Sequence, residues 1–524
     1  MLAVISRRSF LAAGLASGLP SLVPSAAFGE PFTLGVACGD PDPGGFVLWT
    51  RLAPMPLAVD GLGGMPEAPV PVHWQVTTDP AGKDVVRRGV GEAVRDWAHS
   101  VHVEVTGLLP GREYWYRFKA GPYLSPIGRA LTAPAPGSVP RSLRIAVCSC
   151  ANYQHGYFTA YARMAQERPD LVLNLGDYIY EQGSDHLLTL GGNVRDHEGA
   201  EAVTLADYRR RHALYKTDPD LQAAHAAAPW VAVMDDHEVV NNWTNLIPAE
   251  RRGAAFRAYY EHMPLRPSAR PGGPAIQLYR RLHWGNLAAL HVLDTRQYRD
   301  AHQCAPGYSS CPLPADPSRS MLGLDQEQWL LDGLRRFGAR WELIGQQVFF
   351  GQRDRDPGLD RVVRQDAWDG YTAARLRLSE GWIEAGVRNA VVLTGDVHAH
   401  WAGNLVLDYD DPDSRPIGAE FAVTSISSGG DGHDIDPATD PLLAGNPHLR
   451  LHLRRRGYLM IQITPSTLTA DFKIVPYVST PGAPVVTAGT FALHDRIRGL
   501  IPVAGTTPSP RHPDSSAAEL RRQS

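Results

Sequence analysis

The sequence predicts an α/β domain preceded by a small all-β domain, and three observations carry that reading. Short β-favouring runs separated by turn residues fill residues 30–136, with no convincing helical period among them. A Pro-rich stretch follows, and from Arg144 apolar strands alternate with helical patterns. At 524 residues the chain exceeds the length at which a single core stops growing, so more than one domain is expected.

Taken in order, residues 1–29 read as a twin-arginine export signal. Ser6-Arg7-Arg8-Ser9-Phe10-Leu11 is followed by an apolar run to Val23 and by small residues at Ser25-Ala26-Ala27 and Gly29. The run falls short of the roughly 20 apolar residues that a membrane-spanning helix needs, as does every later segment. The expected partner is therefore the twin-arginine export machinery, and the expected location is the periplasm or the medium. Phe46–Leu48-Trp49, Val70–Val76, Ser100–Val105 and Tyr114–Phe118 are the strands of an expected fibronectin- or immunoglobulin-like sandwich over 30–136. Thr132–Pro140 reads as a linker. The catalytic domain is expected over 142–496, with helices near Phe158–Glu167 and Leu205–Leu214. Pro, Ser, Thr and charged residues make 497–524 a disordered tail by composition.

Lys and Arg number 51 against 55 Asp and Glu, a net charge of -4, which gives no electrostatic case for nucleic acid or an anionic membrane surface as partner. The five cysteines are an odd number, so at least one sulfur stays unpaired. Cys304 and Cys311 flank a short loop and form either a local disulfide, favoured by export, or two buried thiols. Cys148 and Cys150 lack the Cys-x-x-Cys spacing of thiol exchange. Arg209-Arg210-Arg211 reads as a solvated helix face.

The chemistry is concentrated where apolar strands end in polar clusters. Leu143–Val147 runs into Cys148-Ser149-Cys150-Ala151-Asn152, and Asp170–Leu175 into Gly176-Asp177-Tyr178-Ile179-Tyr180-Glu181. Trp230–Met234 runs into Asp235-Asp236-His237-Glu238, and Ala390–Thr394 into Gly395-Asp396-Val397-His398-Ala399-His400. Functional groups gather beyond the carboxyl ends of strands in an open α/β sheet, so these clusters can converge. An Asp after one strand is as readily a helix cap or turn former. Four such ends carrying Cys, Asp, Tyr and His together favour a polynuclear metal site.

These residues resemble the calcineurin-like metallophosphoesterases and, within them, the alkaline phosphatase D (PhoD-like) family. The resemblance rests on Ser149-Cys150-x-Asn152-Tyr153, Gly176–Glu181, Asp235–Glu238, Asp294-Thr295-Arg296-Gln297 and Gly395–His398. It extends to Gly35–Pro41, Leu48–Arg51, Thr424–Ser428 and Gly457–Val478, and so to nearly the whole chain after the signal. It implies a four-layer α+β sandwich and hydrolysis of phosphate esters, mono- or diesters, through a metal-activated water. It also implies ferric iron (Fe3+) with calcium (Ca2+). Carried over by motif, Cys150, Asp177, Tyr180 and His398 would hold iron, while Asp177, Asp236 and Asp396 would face calcium; thiolate, phenolate and imidazole suit the first, carboxylates the second. His398 is favoured over His400.

His237 is then either a residue that stabilises or protonates the phosphoryl group, or a structural histidine. Arg296 is either a bidentate phosphate contact or a surface salt bridge. Asn152 either donates to phosphate or caps a helix. The alternatives to a phosphatase are a phospholipase D-type phosphodiesterase and a non-catalytic, metal-containing surface-binding protein.

Overall fold

Eight strands open the chain: β1 (Val36–Asp42), β2 (Gly45–Arg51), β3 (Val70–Thr77), β4 (Val85–Ala93), β5 (Ser100–Val105), β6 (Glu113–Ala120), β7 (Tyr123–Leu124) and β8 (Gly128–Leu131). This computed structural model describes residues 28–186, 192–244, 246–311, 316–356, 361–503 and 505. The expectations for an export signal over 1–27 and for a tail beyond 505 lie outside the described residues.

Alternating side chains build the N-terminal region in two layers. One is the antiparallel order β4-β3-β6, with β7 and β8 both pairing to β6. The other is β1-β2-β5. Cys38, Phe46, Leu48, Val72, Val76, Tyr116 and Phe118 fill the space between them. β2 is buried along its whole length, because its far face is also covered: the Trp49 indole donates to the Glu261 carbonyl at 3.0 Å.

Two sheets form the larger part. The elements are β9 (Leu143–Cys148), α1 (Thr159–Gln166), β10 (Leu171–Asn174), α2 (Leu205–Lys216), α3 (Pro219–Ala227), β11 (Trp230–Ala232), α4 (Ala249–His262), β12 (Arg280–Trp284), β13 (Ala288–Val292), β14 (Tyr308–Ser309), α5 (Leu324–Phe337), β15 (Trp341–Gln346), β16 (Val363–Arg364), α6 (Thr372–Glu384), β17 (Ala390–Thr394), β18 (His400–Leu405), β19 (Gly418–Ala422), β20 (Gly432–His433), α7 (Pro441–Gly445), β21 (Leu449–Ile463), β22 (Thr467–Val475), β23 (Val486–His494) and β24 (Ile497–Pro502). Parallel β9, β10 and β11 form the centre of the first sheet, flanked by antiparallel β21 to β24. The second runs β12-β13-β15-β17-β19-β18, with β13, β15, β17 and β19 parallel.

One strand belongs to both sheets. The first residues of β21 pair with β18 and its last with β9. Leu173, Leu175, Leu343, Leu393, Phe421 and Leu459 pack between the sheets. α5 and α6 cover the outer face of the second sheet through Leu330, Leu334, Leu378 and Trp382. The result is the four-layer α/β sandwich, with an all-β region before it. That region is not an isolated pair of sheets: Gly39 of β1 pairs in parallel with Trp230 of β11, which joins it edge to edge to the first sheet.

Two expectations change. Ile497–Pro502 is a strand on β23, with Leu500 buried, so the ordered chain runs past the expected start of the tail. The composition that suggested disorder belongs to the residues after it. Arg209 and Arg211 are buried rather than solvated, because α2 packs against α4 and the strand-end loops. The sulfurs of Cys304 and Cys311 are bonded, and Cys38, Cys148 and Cys150 are buried free thiols. Among the described residues no helix is long and apolar enough to cross a membrane.

Candidate metal centre

The strand ends of β9, β10, β11 and β17 converge because the two sheets meet there. A parallel bridge links Ser149 to Ser425, and Cys150 and Ala151 donate their N–H groups to the Gly176 and Asp177 carbonyls at 3.2 and 2.9 Å. Gly176 explains the Gly-Asp pair: its φ is +94°, and a Cβ there would stand 2.4 Å from Asp235. Gly395 leaves no more room, since its Cβ would lie 2.9 Å from the Leu175 carbonyl oxygen.

Cys150, Asp177, Asp396 and His398 all hold left-handed backbone, with φ of 59°, 51°, 59° and 50°. Such conformations cost roughly 1–3 kcal/mol each in non-glycine residues and persist only where the surroundings enforce them. Glu238 supplies part of that enforcement. Its buried carboxylate accepts the N–H groups of Asp177, Tyr178 and Asp235 at 3.2, 2.7 and 2.9 Å, tying the second strand end to the third. Arg211 supplies more, donating from α2 to the carbonyls of Tyr180, Gln182 and Ala200.

Three overlapping groups of donor atoms result, each with its atoms within 4.8 Å of one another: Cys150, Asp177 and His398; Asp177, Asp236 and His237; Asp236, Asp366 and Asp396. Tyr180 joins the first, its hydroxyl donating to Asp177 Oδ2 at 2.8 Å and lying 3.2 Å from His398 Nε2. All six expected ligands are therefore in one place. Asp177 is shared between the first two groups and Asp236 between the last two. His400 is elsewhere: its Nδ1 accepts from Thr424 N, and its Nε2 lies 3.2 Å from the Lys473 carbonyl.

Asp366 was missed from the sequence. It follows the two-residue strand β16 and carries no motif, and it lies in the donor group only because the loop after β16 returns to the strand ends.

Arg296 is not at the surface. Its guanidinium is 1% exposed, donates to Asp235, lies 3.0 Å from Asp366 Oδ2, and sits 3.7 and 3.6 Å from Asp236 and Asp396. It is a counter-charge spent on the carboxylates. Asn152 caps the 3-10 turn Tyr153–His155 by accepting from Gln154 N at 2.9 Å, while its buried Nδ2 has no partner. His237 donates from Nδ1 to Glu181 at 2.7 Å and stacks on Tyr180 with ring centroids 4.0 Å apart. Trp230, Trp243 and Trp401 are buried packing residues.

The electrostatics are those of acids buried close together. Burial, then the Asp177 charge, pushes the Cys150 thiol well above its usual range; burial, then Asp236, does the same to Asp177. Burial, with Asp177 and Cys150, raises the Tyr180 phenol. Burial opposes ionisation of Asp236 as well, but Arg296 and His237 outweigh it and hold this carboxyl low. Asp235 Oδ2, Asp236 Oδ1 and Asp396 Oδ2 are buried without a hydrogen-bond partner. Unpartnered anionic oxygens of this kind are costly unless a cation meets them, so the residues present fit bound metal ions.

Known proteins resemble this chain over most of its length. The family model described as PhoD-like phosphatase matches residues 145–472, and that described as PhoD-like phosphatase, N-terminal domain, matches residues 17–134. Alkaline phosphatase D of Bacillus subtilis (strain 168) is 48% identical over 490 residues, covering 91% of this chain and 83% of that protein. A solved structure of PhoD is 47% identical, with a TM-score of 0.89, and the match covers 92% of this chain and 94% of that one.

Proposed function

Because this chain belongs to the PhoD-like phosphatase family and is a phosphoric ester hydrolase, we propose that it acts as an exported, metal-dependent phosphoesterase holding ferric iron and calcium. The observation that carries the metal reading is the pair of orphaned oxygens on Asp236 and Asp396 inside the overlapping donor groups, with that of Asp235 next to them. Cys150, Tyr180 and His398, with Asp177, offer sulfur, phenol, imidazole and carboxylate, the set that suits ferric iron. Asp236, Asp366 and Asp396 offer oxygen alone, which suits calcium. When bound, the cations would polarise the phosphoryl oxygens and acidify the attacking water.

The chain's own residues do the rest. Glu238 and Arg211 hold the ligand loops in their strained conformations. Glu181 fixes His237 through Nδ1, leaving Nε2 to donate toward the phosphoryl group or the leaving oxygen. Burial disfavours the charged imidazole, yet Asp236 and Glu181 raise its pKa well above the usual value.

Export is supported by the Arg7-Arg8 pattern and by the Cys304–Cys311 bond, which suits an oxidising compartment. The substrate is a phosphate ester, and the enzyme class sets aside the non-catalytic reading.

The test compares hydrolysis of a chromogenic phosphomonoester and diester by purified mature protein, with metal analysis and calcium chelation. Chelation is expected to abolish turnover, and Cys150→Ala to remove iron and activity together. Absence of turnover in protein containing both metals would overturn the metal-dependent reading; activity surviving without iron would remove Cys150 from the ligands. Cell fractionation of a variant with Arg7 and Arg8 both changed to Lys should show retention in the cytoplasm if export runs as proposed.

A further inference from the structure

Three arginines border the carboxylate cluster, and they differ in what is left of them: Arg299 is fully buried, meeting Asp366 Oδ1 at 2.8 Å and the Asn242 and Trp243 carbonyls. Arg296 is 1% exposed, with Nε and Nη1 on Asp235 and Asp366 and with Nη2, buried and without a hydrogen-bond partner, 3.7 and 3.6 Å from Asp236 and Asp396. Arg364 is 29% exposed at the side chain, approaches one carboxylate, Asp396 Oδ1, no closer than 3.9 Å with Nη2, and has a buried Nε without a partner. A guanidinium at the mouth of an anionic site, loosely held and with unused donors, is placed for an anion that arrives after the metals.

What fixes Arg364 there is the same piece of chain that holds Asp366. The ring closed by Cys304 and Cys311 contains Pro306, Gly307, Tyr308 and Ser309. Asp366 N donates to the Pro306 carbonyl at 3.2 Å, and Gln365 N to that of Gly307 at 3.1 Å. Tyr308 and Ser309 pair antiparallel with Arg364 and Val363, and the Gln365 amide reaches the Ser309 carbonyl at 3.2 Å. The disulfide ring thus lies along residues 363–366 and registers them against the strand ends. A two-residue strand has little stability of its own. Closing the loop covalently removes the freedom with which it would otherwise leave.

We infer that Arg364 grips the phosphoryl group of the substrate, and that the Cys304–Cys311 ring is the clamp that positions it. The inference rests on the phosphoesterase reading above. A guanidinium can donate to two non-bridging oxygens at once, and its positive charge is drawn more strongly to the dianion of a phosphomonoester than to the monoanion of a diester. Arg364 takes no part in proton transfer. The clamp is a positioning device, and it forms fully only where disulfides form.

Inorganic phosphate is the probe, because it binds without turnover. Arg364→Ala should weaken phosphate binding, measured by calorimetric titration and by product inhibition, by roughly 10- to 100-fold. Its metal content should stay unchanged, and KM for a monoester should rise more than KM for a diester. Arg364→Lys should recover part of the loss. The double variant Cys304→Ser with Cys311→Ser, or mild reduction of the wild-type protein, should weaken phosphate binding in the same direction by a smaller factor. Unchanged phosphate affinity in Arg364→Ala overturns the contact. Loss of metal from that variant also overturns it, because Arg364 would then be a counter-charge like Arg296. Unchanged affinity after both the double substitution and reduction overturns the clamp. Failure of wild-type protein to hydrolyse any phosphate ester would instead sink the underlying reading.

Discussion

Two buried clusters of charge, one at the strand ends around Asp177 and one between α2 and α4 around Glu261, are built in opposite ways. At Glu261 both oxygens of the carboxylate are met. Arg209 meets both carboxylate oxygens at 2.7 and 2.6 Å, and Arg257 adds a contact at 3.2 Å. Arg51, which burial lowers to about 10 while Glu261 raises it, is saturated by the Ala98 and Gly61 carbonyls and by His262. At the strand ends Asp235, Asp236 and Asp396 each keep an orphaned oxygen, and four neighbouring residues sit in left-handed backbone. Burial of charge alone therefore does not mark a functional site. Several carboxylate oxygens left unpartnered next to strained ligand residues do.

The comparison is tested most severely by removing one charge from each cluster. Asp177→Asn keeps the shape but removes an anionic donor shared by two groups, and should lower hydrolysis by about a thousandfold or more, since metal polarisation is worth several kcal/mol. Its effect on the metal-free fold has the opposite sign. A carboxyl whose folded pKa lies above its unfolded value costs stability at every pH above the unfolded value, so neutralising Asp177 should leave the melting temperature of chelator-stripped protein unchanged or raise it at neutral pH. A fall of several degrees would mean that this cluster, too, is balanced without metal.

Glu261→Gln should do the reverse. It leaves Arg209 and Arg51 buried without their carboxylate, which should destabilise the fold by about 3–5 kcal/mol in denaturant unfolding. Turnover per folded molecule should hold. If turnover fell while stability held, the Glu261 cluster would belong to the active site and the contrast would fail.

What could be read in advance divides along the same line. The strand-end ligands were legible because chemistry-bearing residue types follow apolar runs, and because Gly176 and Gly395 mark places where a side chain has no room. The motif containing Arg296 was legible, but its burial was not. That burial depends on Asp235 and Asp366, which lie 61 and 70 residues away in sequence. Asp366 and Arg364 had no local signal at all, since pairing between β14 and β16 places them. The same holds for Arg209 and Arg211, where three consecutive arginines look solvated until the partner helix and the strand-end loop are known. The all-β character of the first region followed from alternation, but nothing local shows that β1 continues the larger sheet through Gly39. β24 was hidden by the composition of the residues that follow it.

α2 touches both clusters, Arg209 toward Glu261 and Arg211 toward the Tyr180 loop, so it offers the finest test of whether they are independent. Its first turn is held by a capping box in which Thr204 Oγ1 accepts from Asp207 N at 3.3 Å and Asp207 Oδ2 accepts from Thr204 N at 2.9 Å. Thr204→Ala should cost about 1 kcal/mol of global stability, the usual value for a lost cap. The fraying should stop before Arg211, which lies further along the helix and is anchored by three carbonyls. Metal affinity and turnover should then match the wild type, while unfolding in denaturant shifts. A parallel loss of metal affinity would show instead that strain at Tyr180 is maintained through the whole of α2, and that the two clusters share one support.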